Sequence, residues 1–308
     1  MYKYVLKRLL LLIPVMIGVT FIVFGIMYLT PGSPAKIRLG EMAKPEQIEA
    51  LEKEMGLDKP FIVQYANYIK KAVTGDFGRS YLSNREVFDD VLSRFPDTLK
   101  LAIASMVIAV VIGIPVGIIS ATKQYSLLDS VTMVLALIGV SMPVFWLGLM
   151  LILVFSVKLG VLPSRGSSTL QHLILPAITL GLSSTAIITR MTRSSMLEII
   201  RQDYIRTARA KGVPERIVVN KHALRNALIP VVTVVGLQFG SLLGGAVLTE
   251  SVFSWPGVGN LMIDAIKKQD RPIVLACIIF ISITFSVVNL GVDILYAFID
   301  PRIKSQYQ

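Results

Sequence analysis

Residues 101–122 read LAIASMVIAVVIGIPVGIISAT, and the stretch Leu101–Thr122 contains no charged side chain. A helix needs about 20 apolar residues to cross the hydrocarbon core of a bilayer, so this run predicts a membrane-spanning helix. The chain holds six such windows and is predicted to be an all-α integral membrane protein with six transmembrane helices. Prolines inside three of them, Pro115, Pro143 and Pro176, predict kinks. The windows are Leu9–Leu29, Leu101–Thr122, Val131–Val157, Leu170–Thr189, Ile229–Thr249 and Ile273–Ile299.

The composition supports a membrane protein. Hydrophobic residues make up 54% of the 308 residues and charged residues 17%, with a mean hydropathy of +0.67. These values exclude an ordinary soluble domain and a disordered chain. The single cysteine, Cys277, excludes an internal disulfide. Lys3, Lys7 and Arg8 precede the first apolar window as in a signal peptide, but the window is too long and no small-residue cleavage site follows, so we expect a retained helix.

The distribution of basic residues predicts the orientation. Six spans place both termini on one side, where fifteen Lys and Arg residues fall, against five on the two short loops opposite. Because basic residues collect in cytoplasmic loops, both termini are expected in the cytoplasm. This topology accounts for the formal net charge of +11, and no basic patch interleaved with aromatic residues indicates nucleic-acid binding.

A long segment, residues 31–97, separates the first two spans on the outer side. Its apolar spacing predicts helices at Pro45–Met55, Phe61–Val73 and Arg85–Phe95. The segment is either a structural lid over the bundle or a docking surface for an extracytoplasmic partner. The predicted division of the chain is 1–8 as the cytoplasmic N-terminus, 9–30 as the first span, 31–97 as the extracytoplasmic helical loop, and 98–308 as the core, with a cytoplasmic loop at 190–228.

The cytoplasmic loop between the fourth and fifth predicted spans contains YIRTARAKG at residues 204–212. Good helix formers fill Ser194–Arg209, Gly212 suits a left-handed turn, and Pro214 suits the first turn of a second helix. The loop therefore predicts two short helices broken at a glycine. Its basic side chains are also what a solvated loop on the positive-inside face would carry.

This loop resembles the cytoplasmic coupling loop of ABC importer permeases. The family pattern is Glu-Ala-Ala, three residues, Gly, nine residues, Ile, one residue and Leu-Pro. Alignment on Gly212 places Arg206, Thr207 and Ala208 at the Glu-Ala-Ala positions and Leu224 at the Leu position. The departures are Arg206 for Glu, Thr207 for the first Ala, His222 for Ile, and Arg225 for Pro, with Pro230 five residues later.

The departures are similar to those of one branch of the superfamily, the dipeptide, oligopeptide and nickel permeases. An early first helix followed by a large outer loop with GDFGRS at residues 75–80 resembles the first, or B-type, permease subunit of such systems. Further stretches similar to that branch run in order along nearly the whole chain. They are Leu159–Pro163, Leu173–Ala177, His222–Pro230, Glu250–Gly259 and Asp300–Arg302.

The resemblance implies a permease subunit that forms half of a translocation pathway for dipeptides or oligopeptides in a prokaryotic inner membrane. The sequence has no Gly-rich phosphate loop ending in Gly-Lys-Ser or Gly-Lys-Thr, so ATP and Mg are expected in partner subunits, and no catalytic, cofactor or metal site is expected in this chain. The implied partners are a second homologous permease subunit, two cytoplasmic ATPase subunits, an extracytoplasmic substrate-binding protein and membrane lipid. The residues assigned to ATPase coupling are Arg201, Asp203, Tyr204, Arg206, Thr207, Ala208, Arg209, Ala210, Lys211, Gly212, Pro214 and Glu215.

Pathway residues are expected among the polar and small residues of the spans. Asp293, inside the last window, is either such a residue or the partner of Arg190 or Arg193. Glycines spaced by four on the fifth span indicate close helix packing or a pathway wall. The candidates for lining the pathway are Gln238, Gly240, Gly244 and Asn289.

Three alternatives accompany this interpretation. Nickel or a nickel chelate is the alternative cargo, although the spans offer few His or carboxylate ligands, which favours peptides. A secondary transporter would need buried charges and inverted repeats, and we find neither in the sequence. An intramembrane hydrolase is disfavoured because His172 and His222 are poorly placed to activate Ser183 or Ser184.

Overall fold

The structure is a computed structural model that describes residues 2–40 and 42–299. The stretch Asp300–Arg302, part of the family resemblance, lies outside the described residues. The described residues form helices and no named strand. The helices are α1 (Tyr2–Leu29), α2 (Pro34–Leu39), α3 (Pro45–Glu54), α4 (Phe61–Val73), α5 (Val87–Thr122), α6 (Leu127–Ser141), α7 (Val144–Leu151), α8 (Gln171–Ile200), α9 (Asp203–Ala210), α10 (Glu215–Ile217), α11 (Leu224–Phe253), α12 (Val258–Lys267) and α13 (Arg271–Ile299).

Five helical stretches of the described residues are long and apolar enough to cross a membrane, or six if one bent pair counts as a span. This confirms the predicted all-α membrane architecture. Several spans extend further than their apolar windows, and two of them do so toward the loop at residues 190–228. Helix α8 continues past Thr189 to Ile200, and the fifth span begins at Glu215, where α10 leads through a π-helical segment, Val218–Ala223, into α11.

The third predicted span, Val131–Val157, is not one straight helix. It consists of α6 and of α7 extended by a π-helical segment, Ile152–Lys158, and the two parts bend by 104° at the intervening break. Met142 has extended backbone angles, and Pro143 caps the start of α7. A residue before proline is forced away from the helical region, and proline has no N–H to continue the helix, so the predicted kink at Pro143 is a full break.

The core lies where α5, α8 and α11 pack together around Leu101, Ile188 and Leu242. Small residues allow the close contact of α5 with α8. A Cβ atom added to Gly117 would lie 2.6 Å from the Cβ of Thr192, and one added to Gly181 would lie 2.7 Å from the carbonyl oxygen of Ser105. Such approaches are typical of membrane helices, whose association depends on van der Waals contact.

The outer segment is only partly a separate cap. Helix α4 lies against α1: Phe61 and Tyr65 pack edge-on against Phe24, and the Tyr65 hydroxyl donates a hydrogen bond to the Ile17 carbonyl at 2.8 Å. The predicted helix Arg85–Phe95 is not separate either, because α5 runs without a break from Val87 to Thr122. The predicted boundary at residue 97 therefore falls inside a helix.

Candidate functional site

The loop after α8 has the predicted helix-glycine-helix form, with one correction. The prediction began the first helix at Ser194, whereas α8 continues to Ile200 and a break at residues 201–202 precedes the short helix α9. Gly212 then adopts a φ of +77°, the left-handed conformation that favours glycine, and no heavy atom of the described residues lies within 4 Å of a Cβ added there. The chain turns at this residue and enters α10 one residue after Pro214.

Helix α9 has one buried and one exposed face. Ile205 is completely buried and contributes to an apolar cluster with Ala121 of α5, Met196 of α8 and Val218 in the π-helical segment. The outward residues of α9 are mainly polar. The apolar cluster therefore fixes α9 to the ends of the long helices while its polar face stays open. The exposed residues of the helix are Asp203, Tyr204, Arg206, Thr207, Arg209 and Ala210.

An ion pair closes the turn at Gly212. The guanidinium of Arg209 donates two hydrogen bonds to the Glu215 carboxylate, at 3.0 and 2.7 Å. The carboxylate raises the pKa of Arg209. Both side chains are more than one third exposed, so this pair contributes at most about 1 kcal/mol, and its main effect is on the geometry of the turn.

A basic cleft of about 660 Å³ lies beside α9. Lys221 and Arg225 supply positive charge, and the Asn226 side-chain amide donates a hydrogen bond to the Tyr204 hydroxyl at 2.9 Å. The open face of α9 and this cleft form one continuous polar and basic surface, which we call the α9 surface. The cleft is lined by Tyr204, Lys221, His222, Arg225, Asn226 and Ile229.

The residues predicted for coupling occupy this surface or its borders. Arg201 lies at the break between α8 and α9, and Ala208 is half-buried against the apolar cluster. Pro214 caps the start of α10. Asp203 and Arg206 form an ion pair at 3.7 Å that is almost fully exposed.

The residues predicted to line a pathway lie on α11 and α13 and make different contacts. Gln238 donates a hydrogen bond to Ser184 of α8 at 3.3 Å. A Cβ added to Gly240 would lie 3.0 Å from the side-chain oxygen of Asn289 on α13, so these two residues belong to a helix contact. Gly244 alone faces open space, in a cavity of about 360 Å³ that is also bordered by Leu11 and Phe285. Gln238, Gly240 and Asn289 thus make contacts between helices, and their assignment to a pathway stays a prediction.

A buried ion pair near α9 was missing from the sequence analysis. The Nε and Nη2 atoms of Arg193 donate hydrogen bonds to Asp129 at 2.7 and 2.8 Å, and the hydroxyl of Ser120 donates a third. Of the two partners predicted for Asp293, Arg193 is thus bonded to Asp129, and the pairing of Asp293 stays a prediction. The partners are 64 residues apart, and only the Ser126 cap three residues before Asp129 gave a local signal for that carboxylate.

A second buried carboxylate lies at the opposite end of the bundle. Glu250 accepts hydrogen bonds from the Thr98 hydroxyl at 2.7 Å and from the Asn260 backbone N–H at 3.0 Å, which joins α5, α11 and α12. Trp255 lies in the same joint. It is fully buried and donates its indole N–H to the Asp97 carbonyl at 2.9 Å, so it joins the loop after α11 to α5.

Comparison with known proteins identifies the family. The family described as "Binding-protein-dependent transport system inner membrane component" matches residues 113–305, and its N-terminal counterpart matches residues 1–102. The chain belongs to this family. It is a permease component of an ABC importer, located in the inner membrane, as the resemblance of its loop indicated, and it is not an enzyme in its own right.

Two curated relatives of this permease match along the whole chain. The dipeptide transport system permease protein DppB of Alkalihalophilus pseudofirmus is 47% identical, over 99% of this chain and 100% of its own length. The glutathione transport system permease protein GsiC of Escherichia coli is 48% identical, over 99% of both chains.

Two solved structures share the fold. A chain of the MetNI methionine ABC transporter in an inward-facing conformation has a TM-score of 0.55 at 20% identity, covering 68% of this permease and 96% of that chain. A chain of an amino acid ABC transporter solved with histidines has a TM-score of 0.53 at 18% identity, covering 70% and 94%.

Proposed function

We propose that this permease forms half of the pathway of an ATP-driven importer of dipeptides or oligopeptides, and that α9 is the element that docks into a cytoplasmic ATPase subunit. The observation that carries the proposal is the double character of α9. Its buried Ile205 fixes it to the ends of α5, α8 and α11, while Arg206 and its neighbours leave a polar face open. A helix held in this way transmits a push from a partner to the long helices.

The α9 end of the bundle is proposed to face the cytoplasm. Its basic residues are those that the positive-inside rule places there, and the α9 surface has open cationic side chains such as Lys221 and Arg225. Two ATPase subunits, which bind ATP and Mg, would drive the cycle. A second homologous permease would complete the pathway, and a substrate-binding protein would deliver cargo at the opposite end.

The coupling step follows from the geometry. Closure of the ATPase pair around ATP would move α9, and the apolar cluster around Ile205 and Met196 would carry that displacement into α8. The turn at Gly212, closed by the Arg209–Glu215 pair, would carry it into α10 and α11. Because α8 and α11 both pack against α5, displacement of both helices by one partner changes the spacing within the bundle.

Peptides are the proposed cargo rather than nickel. Both curated relatives are named for peptide substrates, a dipeptide in one case and glutathione in the other. A substrate with a free carboxylate and amide groups needs hydrogen-bonding partners along its route but no metal ligands. Length and sequence preference would be set chiefly by the substrate-binding protein.

The test uses the complete transporter with all of its subunits in proteoliposomes. In vesicles whose ATPase subunits face the lumen, we expect enclosed ATP to drive uptake of a labelled dipeptide from the outer solution. Uptake should require the substrate-binding protein in that outer solution. Uptake of radioactive nickel under the same conditions, if added dipeptide does not reduce it, would overturn the cargo assignment. Uptake that persists without ATPase subunits would indicate a secondary transporter and would overturn the mechanism.

A further inference from the structure

The buried pair of Asp129 and Arg193 links the start of α6 to the last turns of α8. Arg193 is seven residues before the end of α8 at Ile200, or about two helical turns from the break that leads into α9. Asp129 lies in the first turn of α6. The pair therefore joins α6 to the part of α8 that carries α9.

The carboxylate of Asp129 is fully engaged. Both of its oxygens accept from the guanidinium of Arg193, one also accepts from the Ser120 hydroxyl of α5, and the other accepts from the backbone N–H of Tyr125 at 3.0 Å. Its side chain is 5% exposed and that of Arg193 is 22% exposed. A bidentate pair has a defined geometry, so this junction fixes orientation as well as distance.

The turn between α5 and α6 depends on the same carboxylate. Tyr125 has a φ of +63°, a conformation that is unfavourable for a residue with a side chain, and the residue is 85% exposed. The hydrogen bond from the Tyr125 N–H to the Asp129 carboxylate offsets part of the cost of this backbone conformation. The neighbouring Gln124 accepts a second, weaker bond from Arg201 at 3.4 Å, across the break before α9.

We infer that Asp129 and Arg193 are positioning residues for energy coupling: they fasten the α5–α6 turn to α8, so that a displacement of α9 moves α5, α6 and α8 as one body. Without the pair, α8 would respond to α9 while α6 stayed behind. This inference rests on the proposed docking of α9 and concerns residues that are not on the α9 surface.

The decisive measurement is peptide uptake per ATP hydrolysed by the complete transporter. We expect Asp129→Asn to lower this ratio by about tenfold while ATP hydrolysis continues, because removing one partner of a buried pair loosens the junction. Lys123→Gln is the matched control, since it removes an exposed charge from the same turn. Its ratio should stay at the wild-type value.

A double variant separates positioning from simple charge compensation. Asp129→Asn with Arg193→Gln removes both charges, so the uncompensated buried charge disappears and thermal stability should recover. The uptake ratio should remain low because the bidentate geometry is still absent. A ratio restored together with stability would show that the pair is structural only and would overturn the inference.

The two proposals fail in different ways. If α9 does not dock into an ATPase, a short photoactivatable thiol reagent attached to Thr207→Cys on the exposed face of α9 will give no cross-link to the ATPase subunit. If only the positioning role is wrong, wild-type uptake will depend on ATP and Asp129→Asn will match Lys123→Gln. Should Asp129→Asn prevent assembly, Arg193→Lys replaces it, since it keeps the charge and loses the bidentate contact; an unchanged ratio in that variant contradicts the inference equally.

Discussion

The turn at Gly212 offers the sharpest perturbation of the proposed coupling, by the variant Gly212→Val. The residue has a φ of +77°, and within the part of the chain that the structure describes no heavy atom lies within 4 Å of an added Cβ. The penalty for valine therefore comes from backbone conformation and not from a clash. A left-handed conformation costs an ordinary residue roughly 1–2 kcal/mol, and a β-branched residue falls at or above the upper end of that range.

A penalty of about 2 kcal/mol corresponds to a factor of about 30 in the population of the native turn. The chain can relieve it by leaving the left-handed region, which would separate α9 from α10 and break the contact between Arg209 and Glu215 across the turn. We expect uptake per ATP hydrolysed to fall about 10- to 30-fold, in proportion to that population. ATP hydrolysis itself should continue, because the ATPase subunits are unchanged.

Two control variants isolate the cause. Gly160→Val introduces comparable strain at a φ of +64°, also with no described heavy atom within 4 Å of the added Cβ, but in the loop before α8 and far along the chain from α9. This variant should destabilise the permease without lowering peptide uptake per ATP hydrolysed. Gly212→Asn should stay within about threefold of wild type, because asparagine tolerates the left-handed region. Wild-type uptake per ATP in Gly212→Val would refute the role assigned to this turn.

Two further predictions concern the opposite end of the bundle. Trp255→Phe removes the indole N–H that bonds the Asp97 carbonyl and places a smaller ring in a fully buried site, so thermal unfolding in detergent should show a loss of about 1–3 kcal/mol; an unchanged melting temperature would contradict the buried joint. Burial raises the pKa of Asp270, which accepts from the Ser80 hydroxyl and the Tyr81 N–H. Because a raised carboxyl pKa means that the folded state binds the proton more tightly, the contribution of Asp270 to stability should fall as pH rises from about 4 through the folded-state pKa. Asp270→Asn should remove that part of the pH dependence. Identical profiles of stability against pH for the wild type and the variant would refute this prediction.

Much of the fold could be predicted from local sequence, because a membrane span needs only length and apolarity. The window Leu101–Thr122 lies within α5, and the left-handed turn at Gly212 was visible from one residue type. Pro143 was recognised as a kink, but its 104° bend depends on how α6 and α7 each pack against α8. The proline thus predicts that the helix breaks, whereas the bend angle is set by the contacts of α6 and α7 with α8.

The parts that escaped prediction are those that depend on distant pairing. Charge counting treated Arg193 as one more basic residue near the cytoplasm, although it is bonded to a carboxylate 64 residues away. The burial of Trp255 had no local signal either, because its hydrogen-bond acceptor, the Asp97 carbonyl, is 158 residues distant. Gly240 looked equally suited to packing or to a pathway wall, and its proximity to Asn289 indicates packing.

The central claim, that α9 docks into an ATPase subunit, is tested most directly by cross-linking. The only native cysteine, Cys277, is buried, so a cysteine introduced by Thr207→Cys on the exposed face of α9 is the accessible thiol of this chain. With a short photoactivatable thiol reagent on the assembled transporter, the account predicts a cross-linked product with the ATPase subunit. Ala50→Cys, exposed on α3, should give none. Cross-links to the ATPase from Ala50→Cys and not from Thr207→Cys would contradict the account.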